Sequence, residues 1–173
     1  MSIPIKFDRA VRPEWIDFTL ETLCSTGFDV ARTRRMVREQ LAGQVEGQEA
    51  LNKTITQVMR VVSTDSSWSR EDLEALRKQM ARHAPSQRTE FHLRLLRANP
   101  FFNDFCATLS RLADLGTTQM PMAPVKQRIH ALYGDKPNVR HSLFYAFQTL
   151  QWLGVVEQVG REWKVARPEQ LTQ

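Results

Sequence analysis

The chain has 173 residues, of which 42% are hydrophobic and 25% charged, with a formal net charge of +5. These are ordinary globular values, which exclude wholesale disorder and allow one domain or two small ones. No apolar run approaches the ~20 residues that a membrane helix needs.

The segment Met1–Pro13 carries charges where a signal peptide has its apolar stretch, so the cytosol is the expected location. Cys24 and Cys106 are isolated, each inside an apolar helical pattern. Such cysteines are small buried hydrophobes, and no disulfide or zinc site is expected from two of them. The pI is about 9.6, and arginine (18) outnumbers lysine (6). That balance suits a polyanionic partner, and it is also what a GC-rich genome encodes. The last segment, residues 122–173, holds seven basic and four acidic residues, net +3, the largest local excess.

In chain order, Arg12-Pro13-Glu14-Trp15 opens a helix with Trp15, Ile16, Leu20 and Leu23 at helical spacing. Gly27 is its expected C-cap. Asp29 caps a second helix over 30–42 that carries Arg32, Arg34, Arg35 and Arg38. Its apolar set, Val30, Met36, Val37 and Leu41, is thin, which predicts a surface helix. A third helix runs over 49–63 on Leu51, Ile55, Val58, Met59 and Val62, followed by a loop at 63–67. Ser69 begins a capping box with Asp72, ahead of Leu73, Leu76 and Met80. A further helix holds Phe91, Leu95 and Leu96, with His83 and His92 flanking the preceding loop as surface or partly buried residues. Asn99-Pro100 then breaks or links the chain before the stripe Phe101, Phe102, Phe105, Leu109 and Leu112, which ends at Gly116. No strand is expected before residue 117. The fold class is mainly α, with an N-terminal helical bundle over 1–116.

From residue 117 the pattern changes. Residues 117–120 are short and suit a small strand. A helix follows over 124–133, with Val125, Ile129 and Leu132 inward. Gly134-Asp135-Lys136-Pro137 makes a tight turn into a second helix over 138–153. Its inward face is Val139, Leu143, Ala146, Phe147, Leu150 and Leu153, and Gly154 stops it. The runs 155–159 and 162–165 flank Gly160-Arg161 as a small β-hairpin. Helix, turn, helix and hairpin give a winged helix-turn-helix-like module over 117–173, either separate from the bundle over 1–116 or packed with it as one compact unit.

In that geometry the second helix enters the major groove of double-stranded DNA. Asn138, Arg140, His141, Tyr145 and Gln148 face outward on it, and Asn, Gln and Arg are the side chains that read adenine and guanine edges. Lys136, Arg161 and Lys164 flank it within reach of phosphates. The same outward residues also fit a protein-docking face, with Tyr145 and Trp152 as anchors. Arg32, Arg35 and Arg38 offer a second basic face, suited either to phosphates or simply to water.

Signals for catalysis are missing. There is no glycine-rich phosphate loop, and His83, His92, His130 and His141 have no metal-ligand spacing. Glu71, Asp72 and Glu74 fall in the first turn of a helix, where carboxylates suit the dipole. No cofactor and no metal are expected, and the protein reads as a binding protein rather than an enzyme.

Three segments carry a resemblance: Arg12-Pro13-Glu14-Trp15, Asn99-Pro100-Phe101-Phe102-Asn103-Asp104-Phe105, and Leu150-Gln151-Trp152-Leu153-Gly154-Val155-Val156. Together with the layout of the chain, they resemble the small helical BrxA proteins of BREX phage-defence systems. The resemblance implies a non-enzymatic, DNA-binding accessory component of a bacterial defence system, with other defence proteins as partners. A protein-interaction adaptor docking a larger enzyme and a transcriptional regulator are the alternative readings.

Overall fold

A computed structural model describes residues 4–63, 67–116 and 119–172, together with their side chains except that of Met120. The chain divides into two compact units, Val11–Ala98 and the described parts of Met1–Ala10 with Asn99–Gln173. We call them the helical unit and the mixed unit.

The helical unit contains α1 (Pro13–Ser25), α2 (Val30–Leu41), α3 (Gln48–Val61), α4 (Arg70–Met80) and α5 (Thr89–Leu96), with a 3-10 turn at Pro85–Gln87. Helix α1 is its hub and packs against the other four. Its buried face is Trp15, Ile16, Thr19, Leu20 and Leu23. The end of α1 is set locally. Gly27 (φ 67°) follows the helix, its N–H reaches the Cys24 carbonyl, and the Phe28 N–H reaches that of Leu23. This is a Schellman closure, as the glycine predicts. The Asp29 carboxylate then accepts from the Arg32 N–H at 3.0 Å. Ser69 and Asp72 form the predicted capping box on α4.

Two expectations for this unit are corrected. Val30 and Met36 are 60% and 38% exposed, and Thr33 takes the inner position beside Val37 and Leu41. Thr33 fits there because its hydroxyl donates to the Asp29 carbonyl at 2.7 Å, which satisfies the polar atom inside the unit. His92, expected at the surface or partly buried, is fully enclosed at 1% exposure, because it lies on the inner side of α5. The Asp17 carboxylate of α1 accepts from His92 Nε2 at 2.6 Å and from Arg88 Nη1 at 2.9 Å.

The mixed unit begins with the irregular segment 4–10, which buries Ile5, Phe7 and Ala10. It continues through α6 (Pro100–Asp114), β1 (Gln119–Met120), α7 (Met122–Tyr133), α8 (Pro137–Trp152), β2 (Val156–Val159) and β3 (Glu162–Val165), and a 3-10 turn at Pro168–Leu171 follows. The strands form an antiparallel sheet in the order β1-β3-β2. Gln119 pairs with Lys164, and Glu157 with Lys164 from the other side. Residues 117 and 118, part of the expected first strand, lie outside the described residues.

Helix α6 therefore groups with the C-terminal elements, and the division falls at Ala98–Asn99 rather than after residue 116. Aromatic packing is the cause. Phe7 meets Phe102 at 5.1 Å, Phe105 meets Phe147 of α8 edge-on at 4.8 Å, and Phe147 stacks on Trp163 of β3 at 4.7 Å. Rings of this size dominate the energetics of a small core, so the helix that carries them goes with their partners.

Asn99 ties the unit at its entry. Its side chain caps α6 by accepting from the Phe102 N–H, and its amide donates to the carbonyls of Ile5 and Lys6 at 3.1 and 3.2 Å. Asn99→Ala removes the cap and leaves those carbonyls unpaired. It should lower stability by about 1–2 kcal/mol, read as a lower denaturant midpoint with an unchanged slope. An unchanged midpoint would mean that water replaces the side chain at no cost.

Candidate nucleic-acid interface

Gly134 ends α7 at φ 84°, and its N–H donates to the His130 carbonyl at 2.8 Å. Pro137 occupies the first turn of α8, where its missing N–H costs no helical bond. The short turn between them packs α8 against α7. Helix α7 is fixed in turn to α6 by Tyr133, whose hydroxyl donates to Asp104 at 2.6 Å and whose ring meets Phe101 edge-on at 5.2 Å. Burial, together with the hydrogen bond to Asp104 and the charge on it, pushes the Tyr133 hydroxyl well above the usual tyrosine range.

Leu132, expected inward, is 45% exposed. Tyr133, one residue on, takes the place against α6 because only its ring reaches Phe101 and only its hydroxyl reaches Asp104.

On α8 the inward face is Val139, Leu143, Ala146, Phe147 and Leu150, as the periodicity predicts. Lys136, Asn138, Arg140 and His141 are exposed at the N-terminal end, and Tyr145 and Gln148 are half-buried further along. The structure therefore gathers six of the expected residues on one helix and its N-cap. Arg161 is exposed at the tip of the β2–β3 hairpin, where Gly160 takes φ 61° as the first of two turn residues. Lys164 is exposed on β3.

Some of these cations have local partners. Asp135 lies 3.8 Å from both Arg140 Nε and His130 Nε2, and Lys164 Nζ is 3.5 Å from Glu157. Exposed pairs of this kind are worth about 0–1 kcal/mol, so a phosphate can displace the carboxylate at little cost. Tyr145 is more committed. The Arg9 guanidinium lies over its ring at 5.3 Å and donates to its hydroxyl. Segment 4–10 thus reaches the outward side of α8, which the sequence reading did not anticipate.

Phe144 was also missed. It is 55% exposed, packed edge-on against Tyr145 at 5.8 Å. Its signal was present in the phase of the helix. Once Leu143, Ala146, Phe147 and Leu150 are set inward, Phe144 must fall with Arg140 and His141 on the outer side.

Arg32, Arg35 and Arg38 lie on α2 of the helical unit. Arg32 and Arg35 are exposed, whereas Arg38 donates to Asn52 Oδ1 at 2.8 Å and Arg34 to Thr56 Oγ1 at 2.8 Å. The basic helix therefore has two faces, one turned to α3 and one to solvent.

Among the described residues, no three His, Cys, Asp or Glu side chains gather as metal ligands would. No helix there is long and apolar enough to cross a membrane. Compared with protein-family profiles, curated proteins and solved structures, the chain matches none.

Proposed function

We propose that the mixed unit is a winged helix-turn-helix that binds double-stranded DNA, with α8 in the major groove and the β2–β3 hairpin as the wing. The observation that carries this reading is the order of its parts. Helix α6, strand β1, helices α7 and α8, and a hairpin whose second strand pairs with β1 leave one face of α8 uncovered at its N-terminal end. That end holds Lys136, Asn138, Arg140 and His141, side chains suited to phosphates and base edges. Arg161 at the hairpin tip suits a backbone contact beside the groove. The protein acts by binding, without catalysis. In line with its resemblance to BrxA proteins, it serves as an accessory component of a bacterial phage-defence system.

A labelled random duplex, titrated with salt, tests the proposal. Wild-type binding should weaken linearly in log–log form, with a slope of about −0.9 per phosphate contacted. The triple variant Lys136→Ala, Arg140→Ala, Arg161→Ala should bind at least tenfold more weakly and lose roughly 2–3 from the slope. A slope near zero, or equal binding by the variant, would refute the reading.

One observation favours a second function. The exposed ring of Phe144 beside Tyr145 is the kind of aromatic anchor that seats a protein partner. If duplex binding is absent at low salt, the α8 face is an adaptor surface for a larger protein.

A further inference from the structure

Phe144 is 55% exposed, and among the described residues of α8 it is the one large apolar side chain that lies mostly in solvent. A single exposed ring needs no explanation in itself. Its neighbours give it one. Arg140 and Gln148 stand four residues before and after Phe144, so they share its face, one turn away on either side. His141 and Gln151 stand three residues back and seven on, along the same face. All four end in hydrogen-bonding groups. The core of a protein-docking surface is apolar and depleted of charge, whereas this ring stands among polar and basic side chains.

The ring is also braced. Tyr145 packs edge-on against it at 5.8 Å, and Tyr145 is fixed in turn by Arg9, whose guanidinium lies over its ring at 5.3 Å and donates to its hydroxyl. Segment 4–10 thereby steadies the middle of α8. A side chain already ordered in the free protein loses less entropy when it makes a contact.

In the major groove every base edge offers hydrogen-bonding groups, and the C5 methyl of thymine is the one apolar group. A phenyl ring set against the donors and acceptors of the other bases strips water from them and returns no hydrogen bond. Set against the methyl, it takes apolar surface out of water on both partners.

We infer that Phe144 is a specificity-determining residue that reads the C5 methyl of a thymine, with Arg140 and Gln148 contacting the duplex to either side. The inference rests on the proposal that α8 enters the major groove, and it adds which base the middle of the helix selects.

The test begins with a pool of random duplexes of about 30 base pairs, selected for binding to the full chain and sequenced. Wild type should enrich sites in which one position requires thymine. Phe144→Ala should lose the preference at that position and keep those beside it, with a melting curve confirming that the variant folds. In the selected site, uracil in place of that thymine deletes the methyl alone. It should weaken wild-type binding about fourfold, the effect of one buried methyl. Phe144→Ala should bind the two duplexes equally. Salt-sensitive binding with no thymine preference that depends on Phe144, or equal wild-type affinity for the thymine and uracil duplexes, would overturn the inference and leave the DNA-binding proposal standing. No duplex binding at low salt would overturn both.

Discussion

Phe7→Ala should destabilise the mixed unit by about 3–5 kcal/mol, the range for deleting a fully enclosed phenyl ring. Phe7 is 0% exposed, and its ring packs on Phe102, which continues through Phe105 to Phe147 and Trp163. Removing it opens a cavity at one end of that series. The loss should also free Arg9 from Tyr145, since both contacts come from the same short segment. Hydrogen exchange gives the sharpest measurement. Amides of α6 and α8 should lose protection by a factor of roughly 10² or more, while those of α1 and α3 keep theirs. Equal loss in both units would show that the chain unfolds as a single cooperative block. No loss in either would show that segment 4–10 contributes nothing to stability.

Asp17→Asn should cost the helical unit about 2–3 kcal/mol, because it leaves Arg88 without its counter-charge in a largely enclosed place. The melting temperature should fall by roughly 4–12 °C. Acid provides the second arm of this prediction. Burial alone would lift the Asp17 carboxyl, but the hydrogen bond and charge from His92, and then those from Arg88, outweigh it. They hold Asp17 below its ordinary value of 3.8. A carboxyl depressed in the folded state stabilises the fold above its unfolded value and loses that contribution as pH falls through the folded one. The difference between wild type and Asp17→Asn should therefore be full at pH 6–7 and shrink below about pH 4. A difference that stays constant down to pH 3 would mean that the charge of Asp17 contributes nothing and the variant acts through packing.

Much of the local structure was legible because its causes lie within a few residues. Asp29 and Ser69 cap the helices that follow them, and Gly27 and Gly154 close the helices before them. The inward face of α8 follows from spacing alone, as does the hairpin around Gly160-Arg161. On the candidate interface, the exposed set from Lys136 to His141 was predictable because a helix with one apolar stripe presents its remainder to solvent.

What was not legible depends on partners far along the chain. Asp17 meets Arg88 and His92 across 71 and 75 residues, so nothing near His92 announced that it would be enclosed. Leu132 and Tyr133 are both apolar enough for the inner position of α7, and Asp104 and Phe101 on α6 chose between them. The contribution of segment 4–10 was hidden for a similar reason. Ile5 and Phe7 alternate with Lys6 and Asp8, but a signal that short gains meaning only when Phe102 and the Asn99 amide are there to receive it.

By itself, the sequence determined where helices start and stop, which stripe of each is apolar, and that the basic excess falls toward the C-terminus. Backbone sterics, capping and side-chain periodicity act over one or two turns, and each is complete in the residues concerned. Only the tertiary structure decided that α6 belongs with the sheet, that Arg9 lies on Tyr145, and that Asp17 meets both Arg88 and His92. Those outcomes are set by which buried surfaces fit one another, and that choice is made by the packed chain as a whole.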